Sequence, residues 1–97
     1  MDYRYDARKD AWLRRERGRG FETIIRAIEA GGLLRVLPNP SYPGQAIAEV
    51  LVAGYVYRVP FRSVAGGTRW ELITLYPDRR ATRAWRTRGG SDEPTTP

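Results

Sequence analysis

The sequence predicts an α+β domain in which two N-terminal helices pack on a curved antiparallel sheet of about four strands, followed by a short C-terminal helix. Three observations carry that expectation. Apolar residues recur at helical spacing in the first third of the chain, whereas the middle is built of short β-branched and aromatic runs. Glycines and prolines cluster between most of these runs. A chain of 97 residues, 41% of them hydrophobic, supports one modest core and not two.

The elements follow in order. Tyr3 to Tyr5 read as a short alternating strand that ends at Asp6, a natural helix N-cap. The first helix is expected over Ala7–Arg17, with Ala7, Ala11, Trp12 and Leu13 near helical spacing, the charged residues largely opposite, and Gly18 and Gly20 as its stop. In "FETIIRAIEAGG", Phe21, Ile24, Ile25 and Ile28 share one stripe, which gives a second helix that closes on Gly31 and Gly32 and forms a hairpin with the first. "LLRVLPNPSYPG" starts as a strand and breaks into an exposed loop at Pro38, Pro40 and Pro43. "QAIAEVLVAGYVYRVPF" reads as two antiparallel strands turned at Ala53-Gly54, and Pro60 argues that its strand is an edge or carries a bulge. After a second turn at Gly66-Gly67, "TRWELITLY" supplies another strand, and "DRRATRAWR" a short helix with Asp78 near its start. The segment "TRGGSDEPTTP" carries no apolar residue, so the domain is assigned to 1–86 and 87–97 to a disordered tail.

Composition narrows the chemistry. Cysteine and histidine are both absent, which excludes disulfides, thiolate nucleophiles and the commonest general base and metal ligand. Neither a metal nor a cofactor is expected. The formal net charge is +6, the pI is about 10.3, and every one of the 17 basic residues except Lys9 is arginine. Such a balance calls for an anionic partner, since the guanidinium fork pairs bidentately with phosphate and stacks on bases. A GC-rich codon usage also favours Arg over Lys and explains the Arg share more readily than the net positive charge, so a housekeeping interaction domain whose charge reflects codon bias alone stays open. No apolar run is long enough to span a membrane, and "MDYRYDARKD" is charged where a signal peptide is apolar, so a cytoplasmic location is expected.

Two segments resemble a known family. Tyr5, Asp6, Lys9, Gly18, Phe21 and Glu22 stand at the spacings of the N-terminal signature of BrnT-type toxins, the toxin halves of bacterial type II toxin–antitoxin pairs. "LYPDRRATRAW" is similar to the family's strand followed by "RRAT(K/R)", here Arg79, Arg80, Ala81, Thr82 and Arg83. The chain departs from the pattern at Arg17, where the family commonly has His, at Leu13, where it often has Asn, and near Trp85, where it has an acidic residue. The resemblance implies a RelE/ParE-like fold, metal-independent cleavage of messenger RNA (free or on the ribosome) that inhibits translation, and a cognate antitoxin covering the basic face. A dimer or a toxin–antitoxin hetero-oligomer is compatible with so small a core. The departures keep open an alternative, a non-catalytic module of the same fold that binds nucleic acid or protein.

Metal-free RNA cleavage needs the 2′-hydroxyl deprotonated, the phosphorane charge stabilised and the leaving 5′-oxygen protonated. Without histidine, Glu or Tyr must carry protons and Arg must carry charge. Alternation places Val56, Arg58, Pro60 and Arg62 on one sheet face and Tyr55, Tyr57, Val59 and Phe61 on the other, implying a solvated cationic surface. In the following strand Arg69, Glu71, Ile73 and Leu75 alternate with Trp70, Leu72, Thr74 and Tyr76. The candidate catalytic set is Arg58, Arg79 and Arg83 for charge, with Glu71 and Tyr76 for protons. Arg14, Arg15, Arg17, Arg62 and Arg80 are the candidate RNA contacts. Structural alternatives stand beside these roles: Glu71 as a cross-strand partner of Arg58 or Arg62, the α-helical arginines as a solvated helix end, and the aromatic residues, including Trp12, Trp70 and Trp85, as packing groups.

Overall fold

In the computed structural model, which describes residues 1–89, the chain is an α+β domain with three helices and a mixed sheet. Its elements are β1 (Asp2–Arg4), α1 (Ala7–Arg17), α2 (Phe21–Glu29), β2 (Leu33–Pro38), β3 (Ala46–Val52), β4 (Tyr55–Val64), a 3₁₀ turn at Ala65–Gly67, β5 (Arg69–Leu72), β6 (Tyr76–Pro77) and α3 (Arg79–Thr87). The expectation of a disordered tail from residue 87 is corrected at Thr87, which closes α3 with its hydroxyl donating to the Arg83 carbonyl at 2.8 Å. From residue 90 that expectation lies outside the described residues. Among the described residues no helix is long and apolar enough to cross a membrane.

The sheet order is β1-β5-β4-β3-β2, with β6 pairing β4 beyond the end of β5. The expected all-antiparallel sheet is corrected on this point: β1 pairs parallel to β5, Tyr3 standing opposite Trp70. Alternation within a strand reveals its faces and not its neighbour, so periodicity alone carried no sign of this partner. The β3–β4 hairpin turns on Ala53 and Gly54, whose φ angles of 51° and 77° give the doubly left-handed turn that matches strand twist.

β4 is central, which corrects the expectation that Pro60 marks an edge strand. β4 pairs β3 along its first seven residues, while on its other side it pairs β6 at Tyr57 and Arg58 and β5 from Phe61 onward. Pro60 stands at the handover. Its carbonyl accepts from Ile73 N–H at 2.9 Å on the β5/β6 side, the side on which a proline offers no donor. The expected single strand "TRWELITLY" is thereby divided, and its alternation changes phase across Ile73–Leu75. Leu75 is fully buried in the core with Leu72, and Tyr76 joins the face of Arg58, the reverse of the expected parity.

One face of the sheet carries the core. Leu13 of α1 and Phe21, Ile24 and Ile25 of α2 pack with Val50, Val59 and Phe61, and Trp70 stacks on Phe61 with ring centroids 3.8 Å apart. Asp6 caps α1 through the Lys9 N–H, and Gly18 ends it at φ 75°. α2 starts at Gly20, which has no capping side chain; instead Asp10 of α1 accepts from Phe21 N–H at 2.8 Å. A β-carbon on Gly20 would lie 2.4 Å from the Asp10 carboxylate, so glycine is what lets that group reach α2. Trp12 corrects the packing expectation: its ring is exposed and carries Lys9 and Arg17 on its faces.

The helix α3 lies against the opposite face. Asp78 caps it through Ala81 N–H at 2.7 Å, and buried Thr82 accepts from Val56 N–H at 2.9 Å while donating to the Asp78 carbonyl at 2.7 Å. Thr82→Val keeps the shape but leaves the buried Val56 N–H without its acceptor. The expected result is a loss of about 1–3 kcal/mol, read as a lower urea midpoint at unchanged m-value.

Candidate nucleic-acid interface

On the face beneath α3 the register sets a transverse row of four side chains. Arg35 stands opposite Glu49, Glu49 opposite Arg58, and Arg58 opposite Tyr76. Directly paired residues project to the same face, so the row crosses β2, β3, β4 and β6. Its centre is Glu49, 1% exposed, whose carboxylate accepts from Arg35 Nε at 2.7 Å and from Arg58 Nε at 3.2 Å. A carboxylate this deep is tolerable only because both oxygens meet cations. The same contact raises Arg35 above its ordinary pKa.

α3 forms a ridge beside this row. Arg80 on one flank shares a concavity of about 360 Å³ with Arg35, Glu49 and Arg58. Arg79, Arg83 and Arg86 on the other flank line a second concavity with Tyr55 and Thr82, of about 380 Å³. Arg79, Arg80 and Arg83 together line a third between them, so the hollows run on from one to the next over the N-terminal end of the helix. Arg79, Arg80 and Arg83 are exposed, and no carboxylate pairs with them among the described residues. Arg86 is tied down, donating to the Gly54 carbonyl at 3.1 Å.

Of the candidate catalytic residues, the fold brings Arg58 and Tyr76 together in the row and sets Arg79 and Arg83 on the adjoining ridge. Glu71 lies elsewhere. It stands opposite Arg62 on one side and Arg4 on the other, in a separate hollow that also includes Tyr5, Asp6 and Ile73. Arg58 and Arg62 are four residues apart on β4, about 13 Å along the strand. The expectation that Glu71 sits beside Arg58 is therefore corrected, and among the described residues it forms no ion pair with Arg58 or Arg62. The expectation of an open solvated cationic face is also corrected, because Val56 is fully buried, Arg58 is half-buried beside Glu49, and α3 covers part of the surface.

The candidate RNA contacts divide as well. Arg80 belongs to the ridge and Arg62 to the second hollow. Arg14, Arg15 and Arg17 lie on α1, which packs on the core face of the sheet, away from α3. Arg14 pairs with Asp10 at 3.3 Å, Arg15 is exposed, and Arg17 donates to the Leu75 carbonyl. At the β1 edge, the Arg69 guanidinium, with help from Arg4, holds the Asp2 carboxyl below the usual carboxylate range. The Tyr5 hydroxyl donates to Glu22 at 2.8 Å, and that bond pushes the phenol above its ordinary pKa.

Neither Arg35 nor Glu49 belongs to the expected set, although for Glu49 the sequence holds a signal. A two-residue turn at positions 53 and 54 places residue 49 opposite residue 58, so a lone carboxylate in "AIAEVLV" was due to meet Arg58. Arg35 carried no such signal, because the β2 register shifts at a bulge between Leu33 and Arg35. Neither a family model, nor a curated protein, nor a solved structure matches this chain.

Proposed function

We propose that the chain is the toxin component of a bacterial type II toxin–antitoxin pair, a metal-independent endoribonuclease with a RelE/ParE-like fold. It cleaves messenger RNA, inhibits translation, and is neutralised by a cognate antitoxin that covers the basic face. The observation that supports this most directly is the run of hollows along α3, where Arg79, Arg80 and Arg83 pair with no carboxylate among the described residues and Arg58, the strand partner of Tyr76, lines one wall. Arginines grouped on one ridge suit a phosphate backbone better than a scattered surface charge does.

In this reading the 2′-oxygen attacks phosphorus and the P–O5′ bond breaks, leaving a 2′,3′-cyclic phosphate and a 5′-hydroxyl. Arg79, Arg83 and Arg58 stabilise the added charge of the phosphorane. Tyr76 gives its proton to the leaving oxygen, and water takes the 2′-hydroxyl proton and restores the phenol. A second reading, RNA binding without cleavage, is favoured by the separation of Glu71, which leaves the ridge with no carboxylate beyond Glu49 and Asp78, both already bonded.

One assay separates the two. Purified chain is incubated with end-labelled single-stranded RNA in a chelator, and the products are resolved by length and by end group. Fragments ending in cyclic phosphate are expected. RNA that is retained but intact transfers the conclusion to the binding module, and RNA that is neither retained nor cut at low salt sinks both readings.

A further inference from the structure

Two features of the hollow between α3 and the transverse row go beyond bulk charge. First, Arg35 and Arg58 both meet Glu49 through Nε, which leaves four N–H donors on the terminal nitrogens of each guanidinium. Those nitrogens have no hydrogen-bond partner among the described residues. Second, the carboxylate that orients them is 1% exposed and held from two sides, so the forks are fixed before any ligand arrives. Arg80 closes the hollow from the helix side. Three arginines against Glu49 and Asp78 leave one net positive charge in the lining. A singly charged phosphodiester matches that balance better than a doubly charged terminal phosphate.

We infer that this hollow binds one phosphodiester group of a nucleic-acid strand, with Arg35, Arg58 and Arg80 as donors and Glu49 as the positioning residue that aims two of them. The inference rests on the RNA reading above and adds to it a defined seat for the backbone, set beside the exposed pair Arg79 and Arg83. It reverses the usual effect of charge. Glu49→Gln raises the net charge of the protein, which by general electrostatics strengthens RNA binding. The amide, however, cannot accept from both Nε–H groups with its two heavy atoms, so the forks lose their aim.

The test measures binding of a short single-stranded 2′-O-methyl oligoribonucleotide, which cannot be cleaved, by fluorescence anisotropy at fixed salt. Glu49→Gln is expected to bind about tenfold more weakly than wild type, whereas Glu29→Gln, an equal change of charge at the exposed end of α2, binds as wild type or tighter. Wild-type or better affinity in Glu49→Gln overturns the inference. If circular dichroism shows that this variant does not fold, Arg80→Gln decides, since Arg80 is exposed and carries no buried contact; a loss of about tenfold is expected, and an unchanged affinity overturns the site. Oligonucleotides with and without a 5′-phosphate separate the two phosphate sources. A large gain from the 5′-phosphate that disappears in Arg80→Gln assigns the hollow to a terminal monoester and overturns the phosphodiester assignment. Binding that depends on Arg79 and Arg83 but ignores Glu49 and Arg80 removes this inference alone, and a wild-type chain that binds no RNA removes the functional reading with it.

Discussion

Replacing Arg79 and Arg83 together with alanine is expected to weaken RNA binding by about a hundredfold, roughly tenfold for each lost phosphate contact, and to abolish the growth arrest expected when the wild-type chain is induced in a bacterial host. The two side chains stand one helical turn apart, are exposed, and line one flanking hollow of α3 and the hollow beside it. Neither holds the fold together, because α3 is fastened by Thr82, by the Asp78 cap and by Arg86 on the Gly54 carbonyl. The melting temperature of the double variant should therefore stay near that of wild type. Salt dependence supplies the sharper measurement: for a single-stranded ligand each lost contact lowers the slope of log K against log salt by about 0.7. A double variant that keeps the wild-type slope places the phosphate contacts elsewhere, and one that arrests growth as wild type does removes the ridge from the proposed active site.

Phe21→Ala is expected to have the largest effect on stability, about 3–5 kcal/mol, observed as a fall in melting temperature of about 15–30 °C. Phe21 is fully buried and stacks on Tyr5 with ring centroids 4.9 Å apart, while its own N–H receives the cap from Asp10. Truncation leaves a cavity where β1, α1 and α2 converge. A domain of this length has only about 5–10 kcal/mol in hand, so a fall of less than 5 °C would mean that the ring is not the keystone its burial describes.

Much of the scaffold was legible in the residues because local rules acted unopposed. Asp6, Gly18 and Asp78 are capping signals, Ala53-Gly54 is a turn signal, and the stripe from Phe21 to Ile28 is a helical face. The strand pairings were less legible, since β1 meets β5 across 64 intervening residues and nothing local marks that contact. The site followed the same division. Arg79, Arg80 and Arg83 sit on a helix whose cap and buried Thr82 determine its orientation, and Arg58 follows from alternation in β4. Glu71 meets Arg62 across the strands but not Arg58, because alternation gives a face and not a position along it. Tyr76 was assigned to the wrong face for a different reason, a change of phase after Leu72. The residues that carry the N-terminal family resemblance have folding work in this structure: Asp6 and Gly18 bound α1, Phe21 fills the core, and Tyr5 and Glu22 bond to each other. Their pattern speaks for a way of starting two helices, and the arginines of α3 must answer for RNA.

The break at Ile73–Leu75 has a consequence for how the chain tolerates length changes. Those residues convert an even spacing into an odd one, so that Leu75 drops into the core and Tyr76 turns toward Arg58, while Arg17 grips the Leu75 carbonyl from α1. One residue more or fewer would exchange the two side chains, sending a phenol into the interior and a leucine onto the ridge side. The proline-rich connection between β2 and β3 is under no such rule, because it leaves and re-enters the sheet through an exposed loop closed by Asn39 and Gln45. Two irregular segments of similar appearance thus differ in kind: one is slack that insertions can occupy, and the other is a counting device that keeps the two faces of the domain in step.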